Sequence, residues 1–229
     1  MTLPLVRGLT LLAVMFGLGL GQNLQLHYDL LRRHLTSTLE IYKTDAWGAT
    51  FGFIDFDYNQ RLPDKVRNVS GAYGEIARYV TLRRLPRCAL TLQYNDGLTN
   101  AGSFNPVWLG GLQYGFKCGK IDWPVDCLLR REMNTRGLTW QITSVWLIDR
   151  KKYEISGYLD IWNTSRDAFP ARKIVVQAEP QFWYKINAHC LMGGEIEVAW
   201  NFNGAWSRRQ VFATDRLFVL PTVGIKWYL

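Results

Sequence analysis

The fold is decided by a short stretch that runs Leu138-Thr139-Trp140-Gln141-Ile142-Thr143, in which apolar and polar residues alternate. Successive side chains of a β-strand point to opposite faces, so the Leu, the Trp and the Ile share one face and the three polar residues share the other. An α-helix would not separate the two sets. The same alternation recurs from Asn23 to Leu229. It predicts an all-β protein whose strands each have one apolar and one polar face.

The N-terminal segment has the features of a secretory signal peptide. Arg7 supplies a positive charge, residues 9–20 are almost entirely apolar, and small glycines end the segment. An uncleaved membrane anchor is the alternative, but the apolar run is shorter than the roughly 20 residues that a spanning helix needs. We therefore expect export with a cleaved leader over residues 1–21 and one domain over residues 22–229.

The basic charge of the chain does not indicate nucleic-acid binding. The 229 residues carry a formal charge of +8, and loss of Arg7 with the leader leaves +7. Most basic residues are scattered in predicted turns instead of lying along one face, and an exported protein does not meet nucleic acid. No Ser/Gly-rich linker and no repeat of roughly 20 to 50 residues divides the chain. We expect a single domain that binds no nucleic acid.

The four cysteines give no sign of a metal site. Cys88, Cys118, Cys127 and Cys190 lack the C-x-x-C pairing and the closely spaced His that mark zinc sites. Export would permit disulfides, and Cys118 with Cys127 is the nearest pair, but spacing does not supply the Cα geometry that a disulfide requires. We expect mostly free cysteines in the strands, no metal and no cofactor.

The positions of the breaker residues divide the chain into about 12 strands, an even number typical of outer-membrane barrels. The predicted strands are 23–30, 35–44, 47–59, 70–82, 88–97, 107–118, 121–131, 137–148, 152–163, 173–186, 194–203 and 217–229. From the second strand on, the connections mostly alternate between short and long, as periplasmic turns and outer loops do. The exceptions are 31–34, which is short for an outer loop, and 187–193, which is long for a turn.

The apolar face favours a lipid-facing barrel over a soluble β-sandwich or a lipocalin-like barrel, which would also alternate. The chain contains 10 Trp and 11 Tyr. That much aromatic bulk fits a lipid face with interfacial girdles better than a small interior. We therefore predict a transmembrane antiparallel β-barrel in the outer membrane of a Gram-negative bacterium.

The last strand supports that prediction. Pro221, Val223, Ile225, Trp227 and Leu229 form an alternating apolar row. Such a terminal strand resembles the signal by which the barrel-assembly machinery recognises its clients, although Leu229 stands where an aromatic residue is usual. The expected partners are this machinery, outer-membrane lipid and lipopolysaccharide.

Polar and acidic residues are expected to meet at the outer mouth of the lumen. With both chain ends in the periplasm, odd strands run outward, and carboxylates that faced lipid near mid-depth would be costly. The predicted lumen residues are Phe53, Asp55, Asp57, Tyr73, Glu75, Asn95, Asp160 and Trp162. Such acids and aromatics can bind a neutral or cationic solute weakly, as a selective pore requires. The alternative is that they only solvate or plug a narrow interior.

Three runs of sequence resemble the nucleoside-specific channel-forming porins, the Tsx-like family, and related outer-membrane proteins. They are WGATFGFIDFDYN over 47–59, AYGEIAR over 72–78 and QYNDG over 93–97. The close match is confined to residues 47–97, whereas the resemblance in architecture covers the whole mature chain. It implies a monomeric barrel of twelve strands.

The resemblance also implies a narrow channel in which aromatic faces stack on a nucleobase and polar groups bind the base and the sugar. The matching candidates are Phe53, Asp55, Asp57, Tyr73, Glu75 and Asn95. Arg78 belongs to the matching motif and is therefore included among the predicted lumen residues, but it has the opposite phase from Glu75. Either a bulge shifts the register after Gly74, or Arg78 faces outward.

Two other functions stay open. Outer-membrane phospholipases and acyltransferases are barrels of similar size, but the three histidines, His27, His34 and His189, form no His-x-Ser pair and suggest no nucleophile with its base. A barrel that transports nothing could act through its outer loops at 60–69 and 204–216. We expect a passive channel for small solutes, nucleosides among them, and not an enzyme.

Overall fold

The structure is a computed structural model that describes residues 21–58, 69–100, 102–118, 121–164, 173–202 and 216–229. The secondary structure of these residues consists of fourteen strands. They are β1 Gln22–Asp29, β2 Leu35–Asp45, β3 Gly48–Tyr58, β4 Val69–Leu82, β5 Leu85–Thr99, β6 Gly102–Ser103, β7 Val107–Cys118, β8 Ile121–Glu132, β9 Thr139–Asp149, β10 Tyr153–Asn163, β11 Ile174–Ala178, β12 Gln181–Lys185, β13 Cys190–Trp200 and β14 Leu217–Tyr228. Within these ranges there is no helix with the length and apolarity needed to cross a membrane.

The sheet closes on itself into a barrel. β1 pairs antiparallel with both β2 and β14, so the first and last strands are neighbours. The remaining strands follow in sequence around the ring, and β9 pairs with β10 to complete it. β6 is a two-residue branch on β5. The predicted antiparallel β-barrel is confirmed.

β11 and β12 together make one crossing of the barrel wall. Both pair with β10 in the same register, through Leu159↔Ala178 and Ser156↔Gln181. The interruption between them falls at Pro180, which has no N–H to donate to the ladder. With β11 and β12 taken as one and β6 set aside, the barrel has the twelve strands that the sequence predicts.

The barrel inverts the usual distribution of apolar and polar side chains. On β1, Leu24 and Leu26 are 47% and 46% exposed, whereas Gln25 and His27 are 1% and 2% exposed. A soluble protein buries its apolar residues and exposes its polar ones. Here the polar side chains line the inside and the apolar ones cover the outside, as in a barrel that lies in lipid. Large apolar side chains exposed on the outer face include Leu90, Leu92, Leu112, Leu129, Ile142, Phe182, Val219, Val223 and Ile225.

Short connections, the start of β1 and the end of β14 lie at one end of the barrel, which we call the turn end. The connections there include 46–47, 83–84, 150–152 and 186–189. The last is shorter than predicted because β13 begins at Cys190 instead of near residue 194. The opposite end, the loop end, carries mostly longer connections, with the short 30–34 turn as the predicted exception. In outer-membrane barrels the short turns are periplasmic and the long loops are external.

Several predictions fall wholly or mostly outside the described residues. The leader over 1–21 is described only at Gly21, and the outer loops at 60–69 and 204–216 only at their last residues. The division into a cleaved leader and one domain therefore stays a prediction. Among the described side chains, Cys88, Cys127 and Cys190 are free.

On a lipid-facing outer surface, the free-energy cost of a charged side chain depends on its depth in the bilayer. Leu92, near the middle of β5, and Leu217, the first residue of β14, are each 58% exposed. We expect Leu92→Arg to lower the free energy of unfolding by about 2–4 kcal/mol and Leu217→Arg by at most about 1 kcal/mol, because only Leu92 lies near the bilayer midplane. Denaturant titration of the barrels refolded in phospholipid vesicles measures both. Equal, small effects would mean that the outer face does not meet lipid.

Candidate functional site

Most predicted lumen residues of β3, β4 and β5 meet near the loop end. The register pairs Phe53 with Glu75 and Glu75 with Asn95, so these side chains share the inner face. Tyr73 Oη donates to Glu75 Oε1 at 2.6 Å, and Asn95 Nδ2 donates to the same oxygen at 2.9 Å. The rings of Phe53 and Tyr73 are 6.0 Å apart between centroids. We call Phe53, Tyr73, Glu75 and Asn95 the mouth cluster.

Asp55 and Asp57 also face the lumen, beside the mouth cluster. Thr38 Oγ1 donates to Asp55 and Thr36 Oγ1 to Asp57, each at 2.6 Å. His34 Nε2 lies 3.4 Å from Asp57. Each carboxylate is therefore held by a neighbouring strand, and Asp57 also by the connection between β1 and β2.

Asp160 and Trp162 face the lumen from β10, on the other side of the ring from the mouth cluster. Trp162 is buried, with the Arg130 guanidinium 5.7 Å from its ring centroid. Asp160 Oδ1 is buried and has no hydrogen-bond partner.

Arg78 does not belong to this site. The register of β3 with β4 is continuous through Gly74, and it shifts only at Asp57/Tyr58. Arg78 therefore keeps the phase opposite to Glu75 and lies on the outer face, where it donates to Asp45 at 2.6 Å and 2.9 Å. The inclusion of Arg78 among the lumen residues was wrong, because no bulge exists to turn it inward.

A buried ion pair crosses the inner surface of the barrel toward the turn end. Lys226 Nζ lies 2.8 Å from Glu154 Oε1, and both side chains are at most 5% exposed. Tyr228 Oη donates to the same carboxylate at 2.5 Å, and Lys226 Nζ is 4.9 Å from the ring centroid of Trp183. We call Glu154, Trp183, Lys226 and Tyr228 the inner bridge. Two strands, β12 and β13, separate the partners of this ion pair in the ring.

The inner bridge was not among the predicted site residues. Alternation places Glu154 and Lys226 on the polar face of their strands, but it carries no information about partners four strands apart in sequence. The one available signal is a lysine inside an otherwise apolar terminal strand, because an inward lysine needs a carboxylate partner.

His27 is held on both sides of its ring. Its Nε2 lies 3.0 Å from Gln25 Oε1, and its Nδ1 lies 3.0 Å from Thr222 Oγ1 and 3.7 Å from Glu195. A catalytic triad requires the acid on the nitrogen that does not face the nucleophile, whereas here Thr222 and Glu195 share Nδ1. His27 is also buried. The arrangement is that of a structural hydrogen-bonding histidine.

A second polar network surrounds Asp126 of β8, on the inner face of the wall that β4, β5, β7 and β8 form. Gln113 Nε2, Gln93 Nε2 and Tyr79 Oη donate to its carboxylate at 2.8, 2.9 and 3.0 Å. These donors come from three different strands, so Asp126 ties β4, β5, β7 and β8 together from inside.

Arg32 folds over the loop end from the connection between β1 and β2. It binds Asp29 at 2.5 Å and Glu197 at 2.7 Å. Burial works to lower the pKa of Arg32, but the carboxylates of Glu197 and Asp29 outweigh it and raise the pKa above its usual value. Arg32 is therefore a permanent cation, although Glu197 Oε1 still has no hydrogen-bond partner.

Carboxylates predominate on the inner face of the loop half of the strands. The acidic members are Asp29, Asp55, Asp57, Glu75, Glu132, Asp160, Glu195 and Glu197 in the described strands, and Glu179 in the interruption between β11 and β12. The basic member on these strands is Arg130, which binds Glu132 at 2.9 Å. No group of His, Cys, Asp and Glu in the described ranges converges tightly enough to hold a metal ion. We call this region the acidic zone.

Comparison with known proteins places the chain in a family. A family described as a domain of unknown function, DUF5020, has a model that matches residues 21–229. The chain belongs to this family. No curated protein matches the sequence of this DUF5020 member.

Two solved structures share the fold of the DUF5020 chain. One, described as KdgM porin, has 10% sequence identity and a TM-score of 0.51, and the match covers 91% of this chain and 98% of that one. The other, described as NanC porin, has 6% identity and a TM-score of 0.57, with 91% and 100% covered. These likenesses show the barrel fold. The twelve-stranded barrel that the resemblance to nucleoside channels implied is confirmed, whereas nucleoside specificity stays a prediction.

The buried ion pair of the inner bridge can be tested by its effect on the free energy of unfolding, with the exposed Lys185–Asp149 pair as the control. We expect Lys226→Met to lower the free energy of unfolding by about 3–5 kcal/mol, because it leaves the buried Glu154 carboxylate unpaired. Adding Glu154→Gln should recover much of that loss. Lys185→Met should cost at most about 1 kcal/mol, since its partner Asp149 is largely exposed. Denaturant titration in vesicles measures all three, and equal losses for Lys226→Met and Lys185→Met would contradict the assignment.

Proposed function

We propose that this protein is an outer-membrane channel through which small neutral and cationic solutes pass passively. The observation that carries the proposal is the inverted barrel, apolar outside and polar inside, with an acidic zone in the loop half of its lumen. Carboxylates that line a pore attract cations and repel anions. The two similar structures are both described as porins.

The mouth cluster supports nucleosides as a solute class. Phe53 and Tyr73 offer aromatic faces, and Glu75 and Asn95 offer polar atoms beside them. A nucleoside has a flat base to stack and several hydroxyl and amine donors. The proposal that nucleosides are a solute class can fail while the proposal of a channel stands.

Two other roles fit the observations less well. A lipid-modifying enzyme needs a nucleophile and base that the substrate can reach, whereas His27 is buried and shares one nitrogen between Thr222 and Glu195. A barrel with a purely structural or surface role does not need an excess of carboxylates on its inner wall. It would also carry no current, which makes conductance the direct test.

Conductance and ion preference test the channel. The purified protein in a planar bilayer should give discrete current steps, and the reversal potential in a KCl gradient should show a preference for K⁺. Asp55→Asn with Glu75→Gln should reduce that preference, because both carboxylates face the lumen. Asp96→Asn is the matched control, since Asp96 faces outward and binds Tyr94. Absence of current steps would refute the channel.

Solute flux tests the nucleoside class separately. We expect proteoliposomes to swell faster in adenosine and thymidine than in a neutral sugar of similar size, and Phe53→Ala to slow the nucleosides toward the rate of the sugar. Removal of the stacking face should cost about 1–3 kcal/mol of interaction with a base. Equal rates for all three solutes would remove nucleosides from the proposal and leave the channel intact.

A further inference from the structure

The turn end of the barrel is strongly basic. Two of its connections bring three basic residues each: Arg83 and Arg84 in 83–84 with Arg87 near the start of β5, and Arg150, Lys151 and Lys152 in 150–152; all six are exposed. We call these six residues the basic rim. Neither connection contains an acidic residue.

The contacts of the basic rim leave its charge uncompensated. The guanidinium of Arg83 lies 5.5 Å from the ring centroid of Trp47, and Arg150 donates to the backbone oxygen of Asp149 at 2.9 Å. The Asp149 side chain binds Lys185. A ring face and a backbone carbonyl hold these guanidinium groups without neutralising them, so the rim keeps its positive potential.

One residue of the basic rim lines a cavity at the turn end. The cavity has a volume of about 410 Å³. Lys151 of the rim lines it, together with Lys185, Asn187 and Tyr228. Tyr228 also belongs to the inner bridge, so the cavity adjoins both the inner bridge and the rim. A solute that leaves the lumen at the turn end passes through positive potential.

The acidic zone and the basic rim are far enough apart to act as separate charges. β10 has 11 residues. At about 3.3 Å per residue and a tilt of about 40°, such a strand rises about 28 Å. The acidic zone occupies the loop half, so it lies more than about 14 Å from the rim, whereas the Debye length at physiological salt is about 8 Å. Neither region therefore cancels the potential of the other.

We propose that the lumen is a bipolar pore that rectifies current, with an acidic entrance at the loop end and a basic exit at the turn end. When the loop side is positive, cations enter through the acidic zone and anions through the basic rim, and both accumulate between the two. When the polarity is reversed, both ions are drawn out through the zone that favours them and the middle is depleted. The conductance is higher with the loop side positive. The inference rests on the proposed channel function.

The test is the current–voltage curve of channels of known orientation. A biotin-acceptor peptide in the connection between β3 and β4 lets streptavidin, added to one chamber, report which side the loop end faces. In about 0.1 M KCl the conductance should be at least about twofold higher with the loop side positive. In about 1 M KCl, where the Debye length is about 3 Å, the ratio should approach one.

Two double variants separate the rim from basic charge in general. Lys151→Gln with Lys152→Gln removes two rim charges next to the cavity and should bring the ratio toward one. Lys43→Gln with Arg131→Gln removes two basic charges that alternation places on the outer face, and it should leave the ratio unchanged.

The outcomes distinguish this inference from the channel itself. A linear current–voltage curve at low salt, or rectification that survives loss of the two rim lysines, overturns the bipolar pore while the channel stands. Higher conductance with the loop side negative overturns it as well. Absence of any conductance overturns both the channel and the inference.

Discussion

The rest of this structure depends on the pairing of β1 with β14. In lipid no water is present to satisfy backbone N–H and C=O groups, so a sheet that crosses a membrane must close and leave no edge. Seven residue pairs, from Asn23↔Tyr228 to Asp29↔Thr222, make that closure. It also fixes the phase of all strands, since one residue of slip would turn every polar side chain of a strand toward lipid.

Closure creates the conditions for the polar lumen. Side chains from strands that are not neighbours face each other across a small space and must satisfy one another. The inner bridge does so with an ion pair, a tyrosine hydroxyl and a ring face, and Asp126 does so with three donors. A buried ion pair is weak evidence for stability, because removal from water costs much of the attraction between the charges. Its position is more informative: the inner bridge pairs a cation with a carboxylate in the turn half, whereas the loop half keeps excess carboxylates.

The sequence was sufficient for features that local periodicity controls. Alternation predicted the two faces of β1, β9 and β14 and the inward orientation of Phe53, Glu75 and Asp160, and the breaker residues predicted the number of strands. Features that depend on pairing were out of reach. The interruption at Pro180, the start of β13 at Cys190 and the extension of β5 to Thr99 are set by the neighbouring strands. For Arg78 the sequence left two readings, and only the register with β3 decided between them. The contact between Lys226 and Glu154 follows from closure, which no local pattern records.

The central claim is that the apolar face of each strand meets lipid and the polar face lines a lumen. A fluorophore attached in turn to residues of the outer face and of the inner face tests this claim most directly. In a cysteine-free background, single cysteines at Leu92, Leu112 and Ile142, and at Thr38, Thr143 and Ser156, would carry the label in vesicles. Quenchers attached to the lipid chains should quench the first three and spare the other three, which the neutral aqueous quencher acrylamide should reach instead. Ile142 and Thr143 are adjacent in the chain, so the contrast between them isolates the direction of the side chain. Equal quenching by lipid at both positions, or quenching of Thr143 alone, would contradict the account.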